Sequence, residues 1–440
     1  MALSKKPYRG TRDFFPPQKR VLSYMFSVMN KTAESFGYES YDGPLLEEVD
    51  LYRAKSGDEL INEQIYSFTD RGERFVAIRP EMTPTLARMI ASCHREEPKP
   101  IRWFSIPNLM RYEKPQKGRL REHWQFNCDI FGAPGRTGEV EVLEMIIELL
   151  ENFGASDKHF EVLINDRLIV DTVFKNILNV TEEESYKLYK IVDKAKKVKQ
   201  DAIEKMVNEI SLDSSQKENF YAYLDCKSFE DATNLLEKHN FNDEANNLKS
   251  LIDQLSALGL AKYLTFDPTI VRGLDYYTGI VFEVFDKHLD NRRAICGGGA
   301  YANLLKIFNE EPVTGVGFGL GDVTLKDFLE VHGLLPDLEK PCFDIYLTTQ
   351  FDEGLNDLLV LAKSLRKEGL TVLTHPSSLK FKKVFSGAEK KGIHCALMYG
   401  ENEADAREVQ LKNLSSKEQE NIKIDNITEI KKFILNCKGS

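Results

Sequence analysis

The chain has 440 residues, of which 42% are hydrophobic and 29% charged, and its formal net charge is −10. Such a balance fits a soluble globular protein of two or three domains with a large core. It excludes a surface coated with positive charge for nucleic acid, so any RNA contact must use local basic patches, and no run approaches the ~18 apolar residues that span a bilayer.

The first residues, MALSKKPYRG, carry no apolar stretch of the kind that directs secretion. Residues 8–17, YRGTRDFFPP, are punctuated by Gly and Pro. From Gln18 to Phe36 apolar residues recur at helical spacing (Leu22, Met25, Phe26, Met29, Phe36) and predict an amphipathic helix, with a strand near Tyr38–Tyr41. Residues 64–79 read as a hairpin, QIYSF and FVAIR about a DRGE turn. RPEMTPTLARM follows at once, with Thr83 and Pro84 placed to open a helix. Taken alone, Glu81 and Thr83 would be a helix cap.

From Phe104 to Asp129, FSIPNLMRYEKPQKGRLREHWQFNCD, the chain opens β-like and breaks into a loop, Glu113–Leu120, marked by Pro115 and Gly118. Trp124, Phe126 and Cys128 then alternate with Gln125, Asn127 and Asp129, which predicts two antiparallel strands joined by a long mobile hairpin. Arg111, Arg119 and Arg121 are planar, permanent cations suited to phosphate oxygens. Glu113, Gln125 and Asp129 could read the polar edges of a small ligand. The plainer reading is a charged hairpin at a sheet edge.

A nearly unbroken helix is predicted from Thr137 to Phe153, then a strand at FEVLIND. Residues 168–258 turn polar and helix-rich, and their lysine run, KLYKIVDKAKKVKQ, reads as a solvated face, RNA contact being the alternative that the family resemblance given below implies. The turn-rich RGLDYYTG precedes the apolar strand IVFEVF. CGGGAYANLL follows, its three glycines letting backbone approach a ligand, and GVGFGLGDV is an alternating strand feeding a helix at TLKDFLEVHGLL. The seven cysteines are odd in number and free of CxxC pairs, which suits reduced thiols in a cytosol rather than a zinc ribbon or a disulfide frame. Cys296 is either a small packed residue or a reactive thiol.

Pro336–Pro341 reads as a linker. Beyond it strands and helices alternate over short connections, predicting a small α/β domain with a mostly parallel sheet. Lys380, Lys382, Lys383, Lys390 and Lys391 form its one clear basic patch. The expected boundaries are 1–167 and 259–335 for the two parts of a core, 168–258 for a helical insertion and 341–440 for the appended domain.

These strings resemble a known family. Arg-Tyr-Glu at 111–113, the basic loop and Arg119 are similar to motif 2 of class II aminoacyl-tRNA synthetases. RYEKPQKGRLRE with Gln125 and CDIFG, and above all RGLDYYTG, resemble the histidyl-tRNA synthetases specifically, over essentially the whole chain and in order. The resemblance implies an α+β fold: an antiparallel class II sheet core flanked by helices, with a helical insertion and a C-terminal α/β anticodon-binding domain. The helix and strand of residues 18–41 resemble motif 1, through which class II synthetases dimerise, so a homodimer is implied. The implied activity is ATP-dependent ligation of L-histidine to tRNA-His through a histidyl-adenylate, with Mg2+ beside the phosphates. A cytoplasmic location is implied too, with neither membrane nor DNA among the partners.

Such activation is attack by a carboxylate on the α-phosphorus of ATP, so positioned cations can carry much of the catalysis. By the resemblance, Arg272 and Arg111 are catalytic at that phosphate, Arg272 taking a role that other class II enzymes give to a metal. Arg111, Glu113, Arg119 and His123 form the ATP site, with Arg119 on the β,γ-phosphates. Glu81, Thr83 and Gln125 match contacts to the α-amino and carboxylate groups of histidine, and Asp129 and Tyr277 match contacts to its ring. Arg272, Tyr276 and Tyr301 complete that pocket. Asp129 stands where the family often shows Glu, one methylene longer, which tightens the geometry. Lys114 and Gln116 are implied to read the extra 5′ guanosine of tRNA-His. Lys380, Lys382 and Lys383 are the expected tRNA contacts of the appended domain. No protein side chain is singled out as a metal ligand.

The family usually sandwiches adenine between a motif-2 phenylalanine and a motif-3 arginine. Here the first falls at His123 and the second at Thr324. Arg88, Arg292 and Arg293 are the candidates to fill the place, but the expectation is that Glu113 and backbone groups read the adenine edge, with the motif-3 face covered differently. Two rival readings share the core. A regulatory subunit of ATP phosphoribosyltransferase typically lacks the anticodon domain and the full set of motif-2 arginines. A domain that senses uncharged tRNA usually sits in a longer chain with a kinase.

Overall fold

The computed structural model describes residues 3–53, 63–196, 198–271, 277–291, 293–338 and 343–437, with backbone alone at Phe381 and Lys382. The chain divides into two compact units: Met1–Phe14 with Val21–Leu335, and Phe15–Arg20 with Pro336–Ser440.

The first unit is built on a nine-stranded sheet. Its strands neighbour one another in the order Glu39–Ser40, Ile101–Ser105, Glu122–Phe131, Gly315–Gly321, Ala294–Tyr301, Ile280–Asp286, Phe160–Asp166, Leu264–Phe266. Asn108–Met110 pairs further along Glu122–Phe131. All pairings are antiparallel except at the two ends, where Glu39–Ser40 and Leu264–Phe266 join in parallel.

Parity sorts the two faces of this sheet. Its central registers pair odd with odd: Val281 with Gly299, Gly299 with Gly317, Gly317 with Asp129. Side chains alternate across a strand, so the even positions Phe126, Cys128, Ile130, Phe282, Val284, Val316, Phe318 and Leu320 all enter one core. There they meet Leu143, Ile146, Ile147 and Leu150 of the helix Thr137–Asn152, and Leu22, Met25 and Met29 of the helix Pro16–Ser35. Each such buried side chain contributes ~1.5–3 kcal/mol. The odd positions are left for the opposite face. A smaller apolar cluster roofs one end of it, where Leu86, Ala87 and Ile90 of the helix Thr83–Cys93 join Ile101, Phe131 and Val281. The remaining odd positions are free to carry polar chemistry.

The 64–79 hairpin forms as Tyr66–Thr69 and Phe75–Ile78, and Leu46–Glu48 adds a third strand not expected from the sequence. Between Arg167 and Ala257 the chain is helical. Several of its helices start on side-chain caps, among them Thr181 with Glu184, Asp213 with Gln216, and Ser228 accepting from the Asp231 N–H. This insertion has its own core, including Leu188, Val192, Phe220, Tyr223 and Leu236. The described lysines of the run are not part of that core, with Lys187 on Glu183 at 2.6 Å and Lys196 paired with Asp267.

The second unit holds a five-stranded sheet in the order Val372–Thr374, Ile345–Thr349, Cys395–Tyr399, Glu408–Asn413, Gln419–Lys423. The expected mostly parallel sheet is a mixed one. Its first two pairings are parallel and its last two antiparallel: Glu408–Asn413 runs back along Cys395–Tyr399, and the last strand returns along Glu408–Asn413.

Candidate active site

The floor of the site follows from parity. Gln125, Asn127 and Asp129 lie beside Gly321, Gly319 and Gly317 of the neighbouring strand. A Cβ on Gly317 would overlap Asp129 Oδ1, and one on Gly319 would overlap Gln125 Nε2. At Gly315 a Cβ would run into the ring of Tyr301, and at Gly299 into that of Tyr277. None of these four glycines has a positive φ. What the chain uses here is the missing side chain, which leaves room for polar groups to lie over the sheet.

Asp129 is 6% exposed and accepts a hydrogen bond from the Tyr301 hydroxyl. Burial pushes its carboxyl up to about 7, with the tyrosine bond pulling the other way. Gln125 Nε2 donates to Asn127 Oδ1 at 3.0 Å, and Asn127 Nδ2 donates to Gln125 O at 3.0 Å, so the row is prearranged. Tyr277 is buried. Sequence reasoning passed over Tyr41. Its ring lies 5.6 Å from that of Trp103, the register partner of Asp129, and burial and the Asp129 charge push its hydroxyl well above the usual range.

The basic hairpin closes at Gln116 and Arg119, whose backbones exchange hydrogen bonds of 2.9 and 3.0 Å. Arg111 Nε donates to Pro80 O at 2.8 Å, tying this hairpin to the segment holding Glu81 and Thr83. The helix starts at Thr83 behind Met82 with no side-chain cap, so capping does not account for either residue. Glu113 is buried, and its Oε2 lies 2.6 Å from Arg119 Nε in an ion pair whose N–H is not directed for a hydrogen bond. Burial first, then the charges of Arg111, Arg12 and Arg119, push the His123 imidazole down to about 3. At pH 7 it is a neutral ring among cations.

Some expected residues are placed elsewhere. The Arg121 guanidinium lies 4.0 Å from the Tyr112 ring centroid, and it donates to the Tyr8 hydroxyl at 2.9 Å and to Glu113 O at 3.1 Å. It clasps residues 8–10 to the hairpin rather than facing a phosphate. Arg88 is paired with Glu47 at 2.7 Å. Lys114 and Gln116 are exposed on the hairpin loop. In the second unit Lys380 and Lys383 are exposed about the start of the helix Phe381–Lys390, whose Val384 and Ala388 are buried. Arg272, Tyr276 and Arg292 lie outside the described residues, as does the side chain of Lys382.

Arg12 and Asp322 were missed. They pair at 2.8 Å, and Asp322 Oδ1 also accepts the Trp124 N–H at 2.8 Å, which brings the chain start against the hairpin. Their only local hint was an acid directly after the glycine strand. Among the described residues no group of three or more His, Cys, Asp or Glu is arranged to hold a metal ion, and no helix is long and apolar enough to cross a membrane.

A family model described as histidyl-tRNA synthetase matches residues 10–323, and one described as an anticodon binding domain matches residues 345–432. The chain is 43% identical over 419 residues to the histidine–tRNA ligase of Leptospira biflexa, covering 95% of each chain. It is 34% identical to the chloroplastic/mitochondrial histidine–tRNA ligase of Arabidopsis thaliana, covering 96% of this chain and 85% of that one. Among solved structures, the histidyl-tRNA synthetase of Nostoc sp. PCC 7120 matches with a TM-score of 0.81 at 25% identity, over 98% of this chain and 100% of the other. A Bacillus halodurans structure described as an ATP phosphoribosyltransferase regulatory subunit/histidyl-tRNA synthetase matches with a TM-score of 0.76 at 21% identity, over 91% and 99%, a likeness of fold alone.

Proposed function

The chain belongs to the histidyl-tRNA synthetase family, and from that premise we propose how its own residues divide the reaction. It ligates L-histidine to tRNA-His with ATP, through a histidyl-adenylate, and releases AMP and pyrophosphate. The observation that carries our reading of the site is the polar row Gln125, Asn127, Asp129 laid beside alternating glycines, with Tyr301 bonded to Asp129.

Asp129 and Tyr277 take the ring nitrogens of histidine. A buried carboxylate accepts an imidazole N–H, and an apolar isostere would leave it unpaired, so rejection of such analogues is strong. Gln125, Glu81 and Thr83 take the α-amino and carboxylate groups, and Arg272, Tyr276 and Tyr301 complete the pocket. A carboxylate oxygen of histidine then bonds to the α-phosphorus as the bond to pyrophosphate breaks. Negative charge grows on the α-phosphate oxygens, where Arg111 and Arg272 are the cations. Arg119 exchanges Glu113 for the β,γ-phosphates, and His123 lies beneath adenine as a neutral ring.

Magnesium fits this donor set as an ion held mainly by phosphate, with Glu113 the buried carboxylate that would supplement it. Bound there, it would supply further neutralisation of the phosphates. Lys114 and Gln116 meet the acceptor end of the tRNA, and Lys380, Lys382 and Lys383, in the anticodon-binding unit, are further tRNA contacts. We also propose a homodimer, supported by the likeness of the first helix and edge strand to motif 1, and a cytoplasmic location, supported by free cysteines at six described positions.

The deciding experiment is ATP–pyrophosphate exchange. Exchange that depends on histidine sustains the proposal. Histidine binding without exchange would turn it to the regulatory reading, which the matched anticodon-binding region disfavours.

A further inference from the structure

Beside the hairpin loop lies a second space, a cavity of about 400 Å³ bounded by Gly118, Arg293, Ile295, Thr324 and Phe328. We propose that Arg293 covers the adenine ring of ATP in this cavity, and that Thr324 is the positioning residue that holds it there. The proposal rests on the synthetase reading above.

Three observations carry it. The first is that Arg293 is uncommitted. Arg12, Arg88 and Arg119 are in ion pairs, Arg121 is stacked on Tyr112, and Arg111 is bonded to Pro80 O. Among the described residues Arg293 makes no ion pair or hydrogen bond, although Asp290 and Asp327 line the same cavity.

The second is the cavity's electrical polarity. Its lining carries Asp290 and Asp327 as acids, with Asp286 already bonded to His288, Asn291 and His332 and Lys117 as the second cation beside Arg293. Asp290 and Asp327 can accept from an exocyclic amine and disfavour a polyphosphate. The cations Arg12, Arg111 and Arg119 are not part of that lining. ATP is thereby oriented with its phosphates toward those arginines and its base toward the acids. Against carbon walls at Ile295, Phe328 and the Thr324 methyl, a planar guanidinium can stack on the face of a base.

The third is how Arg293 is held. A Cβ on Gly118, where φ is +72°, would lie 3.1 Å from Arg293 Cδ and 3.6 Å from Thr324 Cγ2, so the arginine stem runs between loop and helix. Thr324 Oγ1 donates to Ile295 O at 2.9 Å, with Gly321 O at 3.2 Å. That bond pins the backbone two residues beyond Arg293 to the start of the helix Asp322–Val331. Where the resemblance would place an arginine, this chain has a threonine that secures an arginine from the adjoining segment.

The test compares wild type, Arg293→Ala, Arg293→Lys, Thr324→Val and Thr324→Ser. ATP affinity is read by calorimetry, KM values by exchange, and inhibition by tripolyphosphate, which has the phosphates without the base. Arg293→Ala should raise the ATP Kd and KM roughly tenfold, leave the histidine KM within about twofold, and leave tripolyphosphate inhibition unchanged. Arg293→Lys should recover only part, since it keeps the charge and loses the plane. Thr324→Val should raise the ATP KM severalfold and Thr324→Ser should restore it. An unchanged ATP Kd in Arg293→Ala overturns the proposal, and so does a parallel loss of tripolyphosphate binding, which would make Arg293 a phosphate ligand. Wild type lacking histidine-dependent exchange would overturn the synthetase reading instead, while the calorimetry still reports on Arg293.

Discussion

A Cβ on Gly317 would occupy the space of Asp129 Oδ1, and the two residues are register partners. The carboxylate therefore owes its position to a missing side chain on the next strand. In Gly317→Ala the carboxylate must move, since Cys128 O at 2.9 Å closes the backbone side. We expect the histidine KM to rise at least ~100-fold, in line with the loss of a buried polar contact to the substrate. Overpacking of this kind typically costs about 1–3 kcal/mol of stability. Exchange kinetics and thermal melts check both. A histidine KM near wild type would remove Asp129 from the ring contact.

Asp129 also makes stability depend on pH. Its carboxyl is pushed up by burial to about 7, above its unfolded value, so the folded chain binds the extra proton between roughly pH 4 and pH 7. This contribution is greatest at low pH and is lost as pH rises through 7. In Asp129→Asn it is absent. The mutant's stability relative to wild type should therefore grow from pH 4 to pH 8, by on the order of 4 kcal/mol at the upper limit. Its histidine KM at pH 8 should rise about tenfold. Denaturant melts across that range test the first statement, and a difference that does not vary with pH would refute it.

Much of this site could be read in the chain because period-two patterns need no partner to be seen. The odd positions from Gln125 to Asp129 and the glycines from 315 to 321 are both visible as alternation. Their relation is not, since it depends on register. The Arg12–Asp322 pair spans 310 residues, beyond any local signal. Arg121 shows how a charge can be seen without its partner: the guanidinium is evident, whereas Tyr8 and Tyr112 are supplied by folding. The strand Gln419–Lys423 escaped notice because only Ile422 in it is buried, so it has no apolar face to announce it. Strand direction in that sheet was equally hidden, as composition does not distinguish a hairpin return from a crossover.

His123 titrates in the opposite sense. With its imidazole pushed down to about 3, the folded chain binds less proton than the unfolded chain between pH 3 and roughly 6.5. Its contribution is present above pH 6.5 and is lost as pH falls toward 3. His123→Phe should gain on wild type progressively in acid, while the ATP KM stays within a few-fold because a ring remains. An acid-unfolding curve identical to wild type would show that His123 is free to charge.

Arg272→Ala should lower exchange by ~10²–10³ while histidine binding stays within a few-fold, because the α-phosphate charge loses a positioned donor. Exchange near wild type would rule out that role.

A chain ending at residue 335 should keep histidine-dependent exchange and lose tRNA charging. Phe15–Arg20 belongs with the second unit, and Arg20 Nε donates to Leu338 O at 2.7 Å, so the first turn of Pro16–Ser35 should fray in the shortened chain. Leu22, Met25 and Met29 remain in the core of the first unit and should hold the rest. A well-folded fragment without exchange would count against this division of labour.

The glycine floor has a consequence for redesign. Because the surface beneath Asp129 and Gln125 is main chain, it offers nothing to trim. Mutation at 315, 317 or 319 can only fill the chamber, so single steps there lead toward smaller amino acids or none. Admitting a bulkier amino acid has to begin at the walls, with Tyr277 and Tyr301, each of which already rests against a glycine. Accessible changes of amino-acid choice therefore run inward from the floor and outward from the tyrosines, and a laboratory selection for new specificity should find its first useful substitutions at the two aromatic positions.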